Sequence, residues 1–248
     1  MHAPALVVIA HGSRDPRHAA TVHALVESVR ALRPGLRVET AFLEFTFPSV
    51  PAALRRLAAE GVRDVVAQPL LLSHAFHAKS DIPAVLHKAR GGLRIRQAEV
   101  LGPSPLLRTA LERRLAEAGV RRAERSRTGV VLAAAGSSDP AALAVIERLA
   151  RDWQSTGGWQ AVLPAYASAS ASLPRTEDAV RELRARGAER VAVAPYVLAP
   201  GFLPDRIAAG AAEAEVLAGV LGAAPEVTRL LLRRYEQALL PTSAALGA

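Results

Sequence analysis

The chain has no cysteine among its 248 residues. Disulfides, thiolate metal sites, iron–sulfur clusters and cysteine nucleophiles are therefore excluded, and any metal ligand must be histidine, aspartate or glutamate. No apolar run approaches the roughly 20 residues that cross a bilayer. The N-terminus also has no cationic segment ahead of an apolar core, which a secretory signal would require. We therefore expect a cytoplasmic protein without a membrane span.

Lysine is scarce, since only Lys79 and Lys88 accompany the arginines, yet basic residues outnumber acidic ones by 31 to 23 and the net charge is +8. Such a charge is compatible with nucleic acid, an anionic membrane surface or an acidic small molecule as partner. The arginines are scattered over segments with helical periodicity, which is typical of solvated helix faces. No nucleic-acid-binding motif accompanies them, so we expect neither nucleic acid nor a membrane as partner.

Apolar runs alternate with helical patterns along the first half. The run Ala5–Ala10 predicts a strand buried on both faces, and Asp15-Pro16 predicts the start of a helix that extends to about Arg33. The remaining predicted elements are a strand at 37–44, a helix at 52–60, a strand at 65–72, a helix ending near 90 and a weaker strand near 95–101. This alternation predicts the α/β class, with small parallel sheets flanked by helices.

The same order of elements recurs in the second half. The pattern Ala-x-Gly-Ser-x-Asp-Pro ends at Pro16 and again at Pro140, a spacing of 140 − 16 = 124 residues. A second match relates Pro69 to Pro195, with a spacing of 195 − 69 = 126 residues. Two matches in register indicate an internal duplication, and we predict two similar domains at 1–123 and 128–248.

Titratable side chains follow three successive predicted strands. His11 follows the first strand, Glu44 the second, and His74 and His77 the third. Ligands of open parallel sheets bind beyond the carboxyl ends of the strands, so these side chains are expected at one edge. Imidazoles and a carboxylate that face one cavity suit metal coordination or proton transfer.

The second half provides an internal comparison for these residues. Ala135 stands at the position of His11, and no carboxylate lies between Tyr166 and Leu173 to replace Glu44. The glycine, the Asp-Pro pair and the apolar strands are present in both halves, whereas the histidine and glutamate are present only in the first. This difference favours a chemical rather than an architectural role for His11 and Glu44.

Two other chemistries have weaker support in the sequence. Gly12-Ser13 precedes a helix and could bind a phosphate, although neither a dinucleotide fingerprint nor a P-loop lysine is present. A serine nucleophile is disfavoured because neither Ser13 nor Ser73 lies in a Gly-x-Ser-x-Gly elbow. Surface or packing roles are assigned to the histidines of the predicted helices, which are His18, His23 and His87.

Three motifs together carry a family resemblance. They are the segments 11–16, 42–49 and 69–83, and they resemble the CbiX/SirB family of sirohydrochlorin chelatases in order and spacing. The second half resembles the degenerate copy of the long, two-domain members. The resemblance implies a lyase that inserts Co²⁺ or Fe²⁺ into sirohydrochlorin in cobalamin or sirohaem biosynthesis. It further implies that the metal is a substrate, that no permanent cofactor is needed, and that the chain is a monomer with an internal pseudo-twofold.

The resemblance also implies residue roles. His11 would be proton acceptor and metal ligand, His77 the second metal ligand, and Glu44 an acid that assists with charge or proton removal. The residues expected to line the substrate are Phe47, Leu72, Ser73, His74, Ala75, Phe76 and His77. Phe47 stands where family members often have a second acid, and Ala75 where they often have glycine.

The flat macrocycle requires an apolar wall, for which the second half offers three aromatic side chains: Tyr166, Tyr196 and Phe202. The arginine excess suits a substrate that bears many carboxylates. A non-catalytic metal or tetrapyrrole carrier that uses the same histidines is the alternative hypothesis.

Overall fold

A computed structural model describes residues 3–73, 81–168 and 173–240 of the chain. The elements of the first half are β1 (Ala5–Ala10), α1 (Pro16–Leu32), β2 (Val38–Phe42), α2 (Val50–Ala59), β3 (Asp64–Pro69), α3 (Ile82–Ala89), β4 (Arg94–Gln97) and α4 (Pro105–Glu117). After a 3₁₀ helix at Arg122–Arg127 follow β5 (Thr128–Ala134), α5 (Pro140–Gly157), β6 (Ala161–Tyr166), α6 (Thr176–Ala185), β7 (Arg190–Tyr196), α7 (Phe202–Gly210), β8 (Val216–Leu217) and α8 (Pro225–Leu239).

The two halves form two parallel sheets with the same topology. The strand orders are β2-β1-β3-β4 and β6-β5-β7-β8. The predicted α/β class and the internal duplication are therefore confirmed. In the first sheet, Ala10 pairs with Phe42 and Ile9 pairs with Pro69. The first three strands consequently end at the same edge, from which the loops that carry the predicted site residues depart.

The helix starts are built as the sequence predicts. The carboxylate of Asp15 accepts a hydrogen bond of 2.9 Å from the backbone N–H of Arg17, and Pro16 occupies the first helical position of α1. Asp139 does the same for the N–H of Ala141 at the start of α5, also over 2.9 Å. An Asp-Pro pair satisfies a free N–H and presets the first helical φ angle, so the duplicated motif begins a helix in both halves.

Some boundaries differ from the predicted ones by two or three residues. β2 ends at Phe42 rather than at Glu44, because the chain turns sharply at Phe45, whose φ is +58°. α2 begins at Val50 rather than at Ala52, because the Ser49 side chain caps the N–H of Ala52. β3 ends at Pro69 instead of continuing to Leu72.

The core of the first half lies on both faces of its sheet. All six residues of β1 are at most 2% exposed, as the continuous apolar run predicts. Val7 and Ile9 pack on one face with Leu54 of α2 and Ile82 of α3. Each fully buried aliphatic side chain of this kind contributes about 1.5–3 kcal/mol through the area it removes from water.

Contacts divide the chain into two compact units. One comprises the described residues up to Gly102 together with those from Pro225 onwards, and the other comprises Pro103–Ala224. In the first unit, α8 packs on α1 and β3, and its Tyr235 hydroxyl donates to the carbonyl oxygen of Pro4 over 2.7 Å. In the second unit, α4 packs on β7. The compact units therefore do not coincide with the sequence repeats at 1–123 and 128–248, because α4 and α8 each belong to the unit formed by the other half.

No helix within the described ranges is both long and apolar enough to cross a membrane.

Candidate active site

The loops that follow β1 and β2 lie side by side at the carboxyl edge of the first sheet. The backbone N–H of Leu43 donates to the carbonyl oxygen of Ala10 over 3.0 Å, and that of Glu44 donates to the carbonyl oxygen of His11 over 2.9 Å. These hydrogen bonds extend the pairing of the two strands past their ends. They bring together the backbones of His11 and Glu44, two of the three residues expected to be catalytic.

Gly12 allows this close approach. Its φ is +95°, and a Cβ atom at this position would lie only 1.9 Å from the carbonyl oxygen of Glu44. Every other residue type would both clash with that oxygen and adopt an unfavourable backbone conformation. The glycine of the repeated motif is therefore required for the contact between the two loops.

A second contact between the loops joins Ser13 to Thr46. The Thr46 hydroxyl donates to the carbonyl oxygen of Ser13 over 3.0 Å. The Ser13 hydroxyl accepts from the N–H of Asp15 over 3.1 Å. Ser13 therefore tightens the turn into α1.

His11 is half-buried and Glu44 is exposed, so the carboxylate of Glu44 is open to solvent and to a ligand.

The start of α1 is poorly suited to a phosphate. Its N-terminus is capped by the Asp15 carboxylate, and hydrogen bonds from the side chain and backbone of Arg17 lower the pKa of that carboxyl group. An anionic side chain at a helix N-terminus repels a second anion. This arrangement disfavours phosphate binding at Gly12-Ser13.

His18 lies near His11, although the sequence pattern indicates only a surface or packing role for it. The His18 ring packs against Phe42 with centroids 6.4 Å apart, and burial followed by the proximity of His11 lowers its pKa. The spacing of the buried α1 residues Val22, Leu25, Val26 and Val29 contained the signal, because His18 lies one turn before Val22 on the same helix face. Burial and His11 therefore both oppose a positive charge on His18.

Only part of the loop that follows β3 belongs to the described residues. Leu72 and Ser73 are half-buried there. The other expected site residues of this loop, His74, Ala75, Phe76 and His77, lie outside the described ranges. Within those ranges, no three His, Asp or Glu side chains are close enough to hold a metal ion. The pairing of His11 with His77 as metal ligands stays a prediction.

Two aromatic side chains follow Glu44 on the β2–α2 loop. Phe45 is 59% exposed and Phe47 is 78% exposed. Exposed aromatic rings are suited to contact a flat apolar ligand. The exposure of Phe47 on the loop that carries Glu44 suits its expected role in lining the substrate.

The second half repeats the backbone arrangement without the titratable side chains. The N–H of Ser168 donates to the carbonyl oxygen of Ala135 over 2.8 Å, in the same way as Glu44 and His11 and at the same spacing, 168 − 44 = 135 − 11 = 124. Gly136 has a φ of +91°, and a Cβ atom there would lie 2.6 Å from the Ser168 hydroxyl. The loop geometry therefore persists where His and Glu are replaced by Ala and Ser.

The three aromatic residues of the second half differ in exposure. Tyr166 is 1% exposed and Tyr196 is 3% exposed, whereas Phe202 is 73% exposed. The expectation that the two tyrosines provide an apolar wall is wrong, because their rings are packed inside the second unit. Aromatic content at a strand end does not distinguish a core ring from a surface ring.

Comparisons with known proteins cover nearly the whole chain. The CbiX family model matches residues 5–118 and again residues 129–238. The sirohydrochlorin cobaltochelatase of Priestia megaterium is 27% identical over 248 residues, which cover 94% of this chain and 79% of the relative. The sirohydrochlorin ferrochelatase of the same species is 29% identical and covers 82% of this chain and 76% of the relative. The structure of SirB from Bacillus subtilis with Fe³⁺ has the same fold, with a TM-score of 0.78 at 24% identity over 95% of each chain.

Proposed function

This chain belongs to the CbiX family, with one copy of the family's domain in each half, and we propose that it is a sirohydrochlorin chelatase. It is a lyase of tetrapyrrole biosynthesis that inserts Co²⁺ or Fe²⁺ into sirohydrochlorin, and the metal ion is its substrate. The names of the two relatives that match most of the chain support this activity. The observation that carries it is the close contact of the His11 and Glu44 loops at the carboxyl edge of the first sheet.

Metal insertion makes three chemical demands. The ion must lose water, it must be held over the macrocycle, and two pyrrole N–H protons must be removed. A neutral imidazole is a good ligand for Co²⁺ and Fe²⁺, and it also accepts a proton near neutral pH. His11 and His77 are the proposed metal ligands, and His11 is also the proposed proton acceptor.

Glu44 supplies the negative charge of the proposed site. Its exposed carboxylate attracts the cation before insertion and accepts a proton from the macrocycle or from His11. Phe47, Leu72 and Ser73 belong to the loops that follow β2 and β3, and with the segment 74–77 they are the proposed substrate-lining residues. Ligands that combine imidazole and carboxylate accept both cobalt and iron, so the proposal includes both ions.

The test follows the absorbance of sirohydrochlorin anaerobically, with Co²⁺ or Fe²⁺ and a catalytic amount of protein. Wild type should give multiple turnovers, and His11→Ala and His77→Ala should lose them. His87→Ala is the matched control, because His87 is an exposed residue of α3 outside the proposed site. A wild-type rate equal to the uncatalysed rate would refute the chelatase proposal.

The carrier hypothesis predicts a different outcome of the same experiment. A carrier would bind one equivalent of metallated product, retain it and show no turnover. A phosphate-dependent enzyme would be stabilised by phosphate and insensitive to His77→Ala, but the capping carboxylate of Asp15 argues against that chemistry.

The presence of both family domains in one chain supports a monomer. Light scattering on the purified protein should give a mass near the 26.1 kDa of one chain. A mass of twice that value would refute the monomer.

A further inference from the structure

Phe45 is the one non-glycine residue in the described ranges whose φ is positive. Its φ of +58° is positive, and the N–H of Thr46 donates to the carbonyl oxygen of Glu44 across it over 2.6 Å. A hydrogen bond from residue i+2 to residue i around a positive φ defines a strained form of the γ-turn. For a bulky aromatic residue this conformation is unfavourable, and it persists only where surrounding contacts impose it.

The strained turn places the Phe45 ring outside the core. The ring is 59% exposed, so its burial within this chain does not offset the unfavourable backbone. The turn is held by the contacts that define the proposed site: Glu44 N–H to His11, and Thr46 hydroxyl to Ser13. The consequence is an aromatic ring fixed next to Glu44 and open to a ligand.

Arg14 lies over this ring. Its guanidinium carbon is 5.3 Å from the centroid of the Phe45 ring, within the range of a cation–π contact. In the part of the chain that the structure describes, no carboxylate lies within ion-pair distance of Arg14, whereas Arg17, three residues later, pairs with Asp15. The aromatic contact orients the Arg14 guanidinium and leaves its hydrogen-bond donors available to an anion.

The pair is present only in the half that carries His11 and Glu44. At the same spacing of 124 residues, Ser138 corresponds to Arg14 and Ala169 to Phe45. The backbone contact between the loops does not require the pair, because the second half makes the corresponding hydrogen bond from Ser168 to Ala135. A role in holding the loops together therefore does not explain Arg14 and Phe45.

We infer that Arg14 and Phe45 form a substrate-holding pair, in which the ring packs against the edge of the macrocycle and the guanidinium binds one of its peripheral carboxylates. The inference rests on the proposed function, since it names two positioning residues for sirohydrochlorin. Planar guanidinium and planar carboxylate form paired hydrogen bonds, and an aromatic ring offers a flat surface to a flat ligand. The pair orients the macrocycle and leaves metal binding to other residues.

The experiment measures KM for sirohydrochlorin and kcat separately in Arg14→Gln and Phe45→Asn. Asparagine is chosen because it tolerates a positive φ, so this variant removes the ring and keeps the turn. Arg14→Gln should raise KM for sirohydrochlorin about tenfold, the effect of losing a partly exposed charge-assisted hydrogen bond. Phe45→Asn should raise it about fivefold through the lost ring contact. In both variants KM for the metal ion should stay at the wild-type value.

The dependence of KM on ionic strength and the effect of conservative substitutions distinguish substrate binding from a structural effect. The wild-type KM for sirohydrochlorin should rise with ionic strength, and this rise should be smaller in Arg14→Gln because screening acts on the charge that it lacks. Arg14→Lys should recover part of the affinity, and Phe45→Tyr most of it. Arg63→Gln is the control, since it removes an exposed arginine at the other end of the first sheet, next to the start of β3.

The outcomes separate this inference from the proposed function. Suppose that wild type turns over normally and that KM in both Arg14→Gln and Phe45→Asn stays within about twofold of the wild-type value. This change is smaller than the loss of one hydrogen bond would produce. The result would overturn the substrate-holding pair and leave the chelatase proposal intact. If wild type shows no turnover, equilibrium titration of metal-free sirohydrochlorin decides the pair: weaker binding by both variants supports it. Equal binding by the variants, or no binding by wild type, overturns it.

Discussion

The backbone N–H of Glu44 donates a hydrogen bond of 2.9 Å to the carbonyl oxygen of His11. This contact joins two residues 44 − 11 = 33 positions apart and belongs to the same parallel pairing that holds β1 against β2. The site therefore depends on a backbone arrangement that the core of the first unit stabilises. Perturbing the loop contact and perturbing the side chains should have separable effects.

Gly12→Ala should disrupt the loop contact directly. The new Cβ would lie 1.9 Å from the Glu44 carbonyl oxygen, and both backbone segments would have to move. We expect a loss of at least about 2 kcal/mol in the free energy of unfolding, together with loss of chelatase activity. Urea unfolding and the absorbance assay measure the two effects.

The matched control for this change is Gly61→Ala. Gly61 has a φ of +82° but no atom within 4 Å of its Cβ position, so it incurs only the conformational cost of about 1–2 kcal/mol. Equal stability and activity of the two variants would show that the contact between Gly12 and Glu44 is unimportant.

Glu44→Gln should lower kcat while the fold is retained. The amide keeps the shape of the side chain but neither accepts a proton readily nor attracts the cation. We expect kcat to fall by about 10²-fold, the lower end of general acid–base effects. The comparison is Glu27→Gln, an exposed change on α1 that removes the ion pair of Glu27 with Arg30. An unchanged kcat in Glu44→Gln would remove Glu44 from the mechanism.

His18 should make stability fall on mild acidification. Its pKa lies below the ordinary 6.5, because burial and then His11 oppose its protonation, while Asp15 favours it. The unfolded chain therefore binds more protons than the folded one around and below that pH, so stability decreases as the pH falls through this range. Between about pH 7.5 and about pH 5.5 the Tm of wild type should fall more than that of His18→Gln. His87→Gln, at an exposed position, should behave like wild type, and an equal fall in all three proteins would contradict this origin.

Glu124 should contribute to stability at a lower pH. Its carboxylate accepts hydrogen bonds from the side chain and the N–H of Arg121, over 2.8 and 3.0 Å, and Arg190 lies 2.9 Å away. The hydrogen bond from the Arg121 side chain is the largest cause that lowers the pKa of Glu124 from 4.5 to about 2. A depressed carboxyl pKa stabilises the fold above the unfolded value and loses that contribution as the pH falls toward the folded value.

The measurement for Glu124 is the free energy of unfolding against pH. Wild type should lose stability between pH 4.5 and about 2, and Glu124→Gln should have a flatter profile over this range. Glu189→Gln serves as comparison, because Glu189 is exposed and its ion pair with Arg127 is longer, at 3.7 Å. Parallel profiles for wild type and Glu124→Gln would show that the carboxylate has no such role.

Local signals in the sequence were sufficient for most of the fold. The uninterrupted apolar run of β1, the Asp-Pro helix starts and the recurrence of one motif after 124 residues predicted two parallel sheets, and each signal acts within a few residues of the element it specifies. The order of strands and loops also predicted that His11 and Glu44 leave the sheet at one edge, because parallel strands have coincident carboxyl ends.

Only the tertiary structure decided which sheet is covered by the last helix of each repeat, α4 in the first and α8 in the second. The amphipathic pattern of α4 and of α8 specifies an apolar face but not the surface that it meets, so the repeat boundary near residue 123 does not predict that α8 packs on β3. The exposure of Phe45 and the burial of Tyr166 have the same origin. Each depends on contacts between segments distant in sequence, and these contacts exist only once the sheets have formed.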